Sequence, residues 1–145
     1  MRFSPRALAT AWLMATVFSG APSTVYAFAS GGSALEATFA AGRMLIDSNS
    51  PWALFAAAAL VHGSVSAFWA GVAGMVLPRR HTAAWAIAFA AAVGMLDLRV
   101  IAPIWFPHIA ALAFWPQMAD HLMWGACLGG TLQAAGRLRS LEPRC

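Results

Sequence analysis

The chain has 145 residues, 61% hydrophobic and 10% charged, with a net charge of +4 in which every basic residue is an arginine. A soluble domain usually carries about 25% charged and 45–50% apolar residues, so a water-soluble fold would have too few charges to cover this apolar surface, whereas a bilayer accepts it. The arginines punctuate the ends of apolar runs and form no groove or stripe, which points to membrane orientation and away from nucleic acid.

Residues 7–29 form the first apolar run, uncharged and interrupted by Pro22. It meets the length of about 20 mostly apolar residues that a spanning helix needs. Its small residues Ala11, Ala15, Ser19, Ser23 and Ala27 recur every fourth position, as close helix packing in lipid requires. The basic start and Ala27-Phe28-Ala29 also fit a removable signal peptide. Pro22 and the length of the run count against that alternative, which would leave three spans in the same orientation.

After Gly31-Gly32, Ser33-Ala34-Leu35-Glu36 reads as a capping box. Leu35, Phe39, Gly42 and Ile46 then share one face, and Glu36, Arg43 and Asp47 another. That pattern predicts a short helix on the membrane surface. The second run, 52–77, has His62 as its only ionisable group and a ladder of Gly63, Ala67 and Gly71, with Ala70 and Gly74 beside it. The third, 82–102, carries Ala84, Ala88 and Ala92, is uncharged to Leu96, and continues through Asp97 and Arg99. Trp105, Phe106, Phe114 and Trp115, set between Pro103 and Pro116, predict an interfacial segment. The fourth run, 116–135, opens on Asp120 and His121 and contains Gly125 and Gly129.

These elements predict a single all-α domain: an integral membrane four-helix bundle with short interfacial helices on its outer side. Four spans put Arg2, Arg6, Arg79, Arg80, Arg137, Arg139 and Arg144 on one side, and only Arg43 and Arg99 on the other. Basic residues favour the cytoplasmic side. The expected setting is therefore a bacterial inner membrane, crossed several times, with both termini cytoplasmic.

Depth can be counted from the cytoplasmic arginines. Ser23 lies 17 residues after Arg6, His62 17 before Arg79, Asp97 17 after Arg80, and His121 16 before Arg137. At 1.5 Å per residue each is roughly 25 Å from the inner boundary of a hydrocarbon core about 30 Å thick. Every span thus places a polar group just inside the outer face, with Thr24, Arg99 and Asp120 within a turn of that level. One account is structural: Asp97 pairs with Arg99, Asp120 caps its own helix, and the histidines bond neighbouring backbone. The other is a small outward-facing site in which histidine and carboxylate bind a ligand, a proton or a metal.

No CxxC, Walker loop, GxGxxG or HExxH occurs, so familiar soluble-enzyme chemistry and catalytic residues are not expected. No cofactor is expected either; zinc lacks a diagnostic ligand spacing, and haem between His62 and His121 rests on geometry alone. Cys127, within an apolar run, reads as a small buried hydrophobe, and Cys145 as a free terminal thiol. The halves resemble each other: His62, Trp69, Gly71, Gly74 and Arg79 parallel His121, Trp124, Gly125, Gly129 and Arg137. A duplicated hairpin and the common needs of helix packing both account for this.

Ser19-Gly20-Ala21-Pro22-Ser23-Thr24, Leu35-Glu36-Ala37-Thr38 leading to Ala41-Gly42, Val61-His62, Leu96-Asp97-Leu98 and Pro116-Gln117-Met118-Ala119-Asp120-His121 resemble an uncharacterised family of small bacterial membrane proteins. The similarity covers nearly the whole chain. It implies a four-helix inner-membrane protein, favours an uncleaved first span, and supplies no activity. The expected function is a membrane-embedded binding or interaction protein, or a small transporter-like subunit. Its partners would be the lipid bilayer and a membrane protein or second copy. The alternatives are a haem- or metal-binding redox protein using His62 and His121, and a purely structural membrane protein.

Overall fold

The computed structural model describes residues 3–141, with side chains described through Leu138. Arg2, Arg144 and Cys145 lie outside the described residues, as does the side chain of Arg139. The described chain is all-helical. Its elements are α1 (Pro5–Phe18), α2 (Ala21–Ala29), α3 (Glu36–Gly42), α4 (Pro51–Val76), α5 (Thr82–Leu96), a π-helical turn (Asp97–Ile101), α6 (Ala102–Trp105), α7 (Pro107–Ala110) and α8 (Phe114–Leu141).

Local chemistry sets the helix starts. α1 and α4 both open on Ser-Pro: Ser4 Oγ accepts from the Ala7 N–H at 3.2 Å, and Ser50 Oγ from the Ala53 N–H at 3.4 Å. In each, proline takes the first helical position, where its missing N–H costs nothing. α5 follows His81, a left-handed residue with φ 55° and no side-chain cap. Gln133 of α8 supplies the missing acceptor, its Oε1 taking the Ala83 N–H at 3.2 Å.

Two elements depart from expectation. Residues 7–29 form two helices, because the chain breaks at Ser19-Gly20 just before Pro22, which cannot donate to the carbonyl four residues back. The capping box does not form: Ser33 Oγ accepts from the Leu35 N–H at 3.3 Å, and Leu35 occupies the cap position without a side-chain bond. The short helix α3 ends at Gly42, so Arg43 and Asp47, both exposed, follow it; Leu35 of the expected apolar face is exposed as well, while Ala40 and Gly42 are buried and Gly42 lies directly against the Leu54 carbonyl of α4.

α1 packs between α4 and α8, and α8 pairs closely with α5. All four contribute to one core of Ala11, Ala15, Ala70, Ala73, Leu77, Ala86, Ala90, Trp124, Leu128 and Leu132. The α1–α2 ladder is buried along its whole length, from Ala11 to Ala27. Gly125 and Gly129 bring α8 onto α5: a Cβ on Gly125 would lie 2.6 Å from the Ala86 carbonyl oxygen, and one on Gly129 2.7 Å from Ala83 Cα. The ladders expected on the second and third runs face outward instead. A Cβ added to Gly63 or Gly71 would meet nothing within 4 Å, and Ala67, Ala84, Ala88 and Ala92 are exposed. In an alanine-rich helix several faces carry small residues, and the neighbouring Ala70-Ala73-Gly74 and Ala86-Ala90-Gly94 faces win the contacts.

Two helical stretches are long and apolar enough to cross a membrane, Pro51–Val76 and Thr82–Trp105. Only 28% and 22% of their apolar windows are buried, which a core helix of a soluble protein would not show. Leu60, Phe68, Trp85, Ile104 and Trp105 all face outward.

The close α5–α8 contact gives a direct expectation. Gly129→Ala should lower stability by about 1–3 kcal/mol through overpacking. Gly130→Ala, where nothing lies within 4 Å, should leave stability unchanged or raise it by up to about 1 kcal/mol. Thermal unfolding followed by circular dichroism measures both, and equal effects would remove the close-packing account.

Candidate functional site

Polar groups gather around the start of α8, each tied to a neighbouring helix at or near an interruption. The α1–α2 break frees the Ser23 N–H, which donates to Asp120 Oδ1 at 2.9 Å. Asp120 therefore caps α2 across the interface and does not cap its own helix. A carboxylate accepting from a first-turn N–H is also favoured by the helix dipole. Asp120 lies close enough to His62 and His121 to interact electrostatically with both.

His121 occupies the next position on α8 and packs against α5, where its Cγ would lie 2.9 Å from a Cβ on Gly94. Its Nδ1 is 3.0 Å from the Gln117 carbonyl, and its Nε2 is 3.2 Å from Asp97 Oδ2. A carbonyl only accepts, so Nδ1 carries a hydrogen. When Nε2 carries a hydrogen as well, it donates to the Asp97 carboxylate. Both side chains are 26% exposed, so the pair is reachable from outside the helices.

The π-turn places Asp97 there. The Ala102 N–H bonds to the Asp97 carbonyl five residues back, and the buried face of the helix runs Ala86, Ala90, Gly94, then Ala102. The extra residue widens the turn ahead of Pro103, whose ring would crowd a regular helix. Asp97 thereby points to α8, while Arg99 is exposed and its guanidinium lies 4.2 Å from the centroid of Phe114. The expected Asp97–Arg99 pair is not made.

His62 of α4 reaches α1, its Nε2 lying 3.1 Å from the Thr16 carbonyl and 3.1 Å from Ser19 Oγ. Since the carbonyl accepts, Nε2 carries the hydrogen. One turn further, a directional chain crosses three helices. The Trp124 Nε1–H donates to Ser66 Oγ at 2.7 Å, Ser66 and Thr16 hydroxyls are 2.7 Å apart, and Thr16 Oγ1 donates to the Trp12 carbonyl at 2.8 Å. Trp12 Nε1 in turn donates to the Gly63 carbonyl at 3.2 Å.

Of the seven residues singled out from the sequence, His62, Asp97, Asp120 and His121 join this set through their side chains, and Ser23 through its backbone. The Ser23 and Thr24 hydroxyls both turn back to the Gly20 carbonyl, at 3.2 and 2.8 Å, and Arg99 stands apart. Thr16, Ser19, Ser66 and Trp124 were missed. Their signal was present: Ser66 follows His62 by one helical turn, and a tryptophan N–H inside an apolar run needs an acceptor. A cavity of about 50 Å³ opens beside Ser23 and Gln117, next to Glu36 and Tyr26.

Among the described residues no three His, Cys, Asp or Glu side chains gather as a metal would need. The Nε2 atoms of His62 and His121, which an axial haem ligand would use, are both engaged by protein groups. Cys127 is a half-buried free thiol. No family model, curated protein or solved structure matches this chain.

The cross-helix cap sets a measurable expectation. Asp120→Ala should cost about 1–2 kcal/mol, the usual loss of an N-cap acceptor. Asp120→Asn, which keeps an acceptor oxygen, should recover most of it. Chemical denaturation of the three proteins decides, and an alanine variant as stable as the parent would remove Asp120 from the capping role.

Proposed function

We propose that this chain is a four-pass integral membrane protein of the bacterial inner membrane, with both termini cytoplasmic. In this reading it binds a small ligand at the interrupted helices near its outer side, as a binding protein or small transporter-like subunit. Support for the setting comes from the two long apolar stretches and from α1–α2 and α8, which pack alongside them. The arginine distribution adds to it: Arg79 and Arg137 meet at one end of the helices, while Arg43 and Arg99 belong to the other.

One observation carries the ligand reading. Two helices are interrupted, at Ser19-Gly20 and at Asp97–Ile101, and each interruption faces a histidine and carboxylate set centred on α8. Interrupted membrane helices place backbone and ionisable groups where a substrate or ion is held. Each histidine also bonds to the helix that precedes its own in the bundle, His62 to α1 and His121 to the π-turn after α5. The hydrogen-bonded Asp97–His121 pair suits a ligand that exchanges a proton or brings an ionisable group of its own.

A purely structural role is favoured by a different fact. Among the described residues no buried side-chain nitrogen or oxygen lacks a partner. The two readings separate experimentally. Purified protein is screened for thermal stabilisation by a panel of small amines, carboxylates and zinc. A binding protein gains stability with one of them, Asp97→Asn and His121→Ala lose that gain, and Leu13→Ala on the exposed face of α1 keeps it. No stabilisation by any compound, or equal loss in all three variants, favours the structural role. Topology is tested independently by reporter fusions at Asp47, Arg80, His108 and Cys145, which should report outside, inside, outside and inside; any exchanged pair overturns the four-pass arrangement.

A further inference from the structure

The cavity of about 50 Å³ beside Ser23 lies where α2, α3 and the start of α8 meet, at the end of the molecule that carries the histidine set. Two of its lining residues join it to that set. The Ser23 N–H is held by Asp120, and the Gln117 carbonyl accepts from His121 Nδ1. Glu36 adds a carboxylate to the lining, Gln117 an amide, and Tyr26 and Ser33 hydroxyls; the remaining walls are alanine, leucine and proline. Ser33 Oγ accepts from the Leu35 N–H and keeps a second lone pair. The side chains of Glu36, Tyr26 and Gln117 make no hydrogen bond or ion pair among the described residues. Among the described residues no basic side chain lines the cavity, and Arg99 is turned onto Phe114.

Such a lining presents oxygen acceptors around one negative charge. A single carboxylate balances a single positive charge, whereas calcium takes about six to eight oxygens, carboxylates prominent among them. An ammonium group carries N–H donors and no acceptor, and the Glu36 carboxylate, the Gln117 amide oxygen and the Tyr26 hydroxyl can each receive one. The volume exceeds what one water needs and falls well below the roughly 300 Å³ of a drug-sized site. It admits an ammonium with a short carbon stem. We propose that this cavity binds the primary ammonium group of a small amine, with Glu36 as its counter-charge. The proposal deepens the ligand reading above and rests on it, because an ammonium seated here adjoins Ser23 and Gln117, the residues bonded to Asp120 and His121.

The test uses the full chain in neutral detergent and titrates ethanolamine at neutral pH, where its nitrogen is protonated, by calorimetry and thermal unfolding. Ethanolamine should bind with an affinity on the order of millimolar, the scale open to a ligand of so few atoms. Choline, whose nitrogen carries three methyl groups and no N–H, should bind about tenfold more weakly. Glu36→Gln should weaken ethanolamine binding about tenfold through loss of a charged hydrogen bond, and Tyr26→Phe about threefold. Asp47→Asn, at an exposed acid outside the lining, should leave it unchanged. Glu36 is exposed, so its variant should melt with the parent when no ligand is present; Tyr26→Phe carries the test if it does not. Equal binding of choline and ethanolamine, or undiminished binding by Glu36→Gln, overturns the proposal. Stabilisation by zinc or a carboxylate and by no amine overturns the ammonium assignment and leaves the ligand reading standing, whereas stabilisation by no compound overturns both. Native mass spectrometry separates two sources of the same group. Phosphatidylethanolamine retained over phosphatidylcholine, and lost in Glu36→Gln, supports the proposal with a lipid as the amine; ethanolamine binding without that preference supports it with a soluble one.

Discussion

A backbone N–H in apolar surroundings must have an acceptor, and that constraint bears hardest where the first helix breaks. Pro22 interrupts the ladder of backbone bonds, and the Ser23 N–H loses its place in it. An unpaired polar group buried in apolar surroundings costs several kcal/mol. Asp120 supplies the acceptor from α8, so the break in one helix and the position of another become one structural decision. The carboxylate brings with it His121 on the next residue, whose Nε2 reaches Asp97.

α8 can take that central place because its next two turns are nearly without side chains on one face. Gly125 and Gly129 admit the α5 backbone at contact distance, and the ridge of Ala83, Ala86 and Ala90 fills the space. Van der Waals contact over this close approach holds the two helices together. The same closeness lets His121 lie on Gly94 and reach Asp97, a contact that a bulkier residue at either glycine would push out of range. Packing and polar pairing on α8 are thus set by one choice of small residues.

The molecule is consequently polarised along its helices. One end carries the histidine and carboxylate set with the helix interruptions; the other carries Arg79 and Arg137 around a cleft bounded by α1, the α4–α5 turn and α8. The core of alanine, leucine and Trp124 separates them, and a hydrogen-bond chain from Trp124 through Ser66 and Thr16 runs just beneath the histidine level. That chain locks α1, α4 and α8 in register, which fixes the position of His62 against Ser19.

Much of this was legible in the residues themselves. Composition and run length specify apolar helices, and the Ser-Pro pairs specify two of their starts, because these are local properties of a few consecutive side chains and their backbone. Counting residues from the arginines gave Ser23, His62, Asp97 and His121 one expected depth, since helical rise converts sequence distance into length, and the structure pairs Asp97 with His121 and the Ser23 N–H with Asp120. What one chain's pattern could not decide was azimuth. Several faces of an alanine-rich helix carry small residues, so the packing of Ala86-Ala90-Gly94 and not Ala84-Ala88-Ala92 is settled only by which face the glycines of α8 fit. The π-turn rotates Asp97 toward His121 and leaves Arg99 on Phe114, and the break before Pro22 turns Asp120 from a cap of its own helix into a cap of another. Those partnerships join residues 24 and 97 positions apart, and they exist only because tertiary packing brings distant backbone and side-chain groups within hydrogen-bond reach.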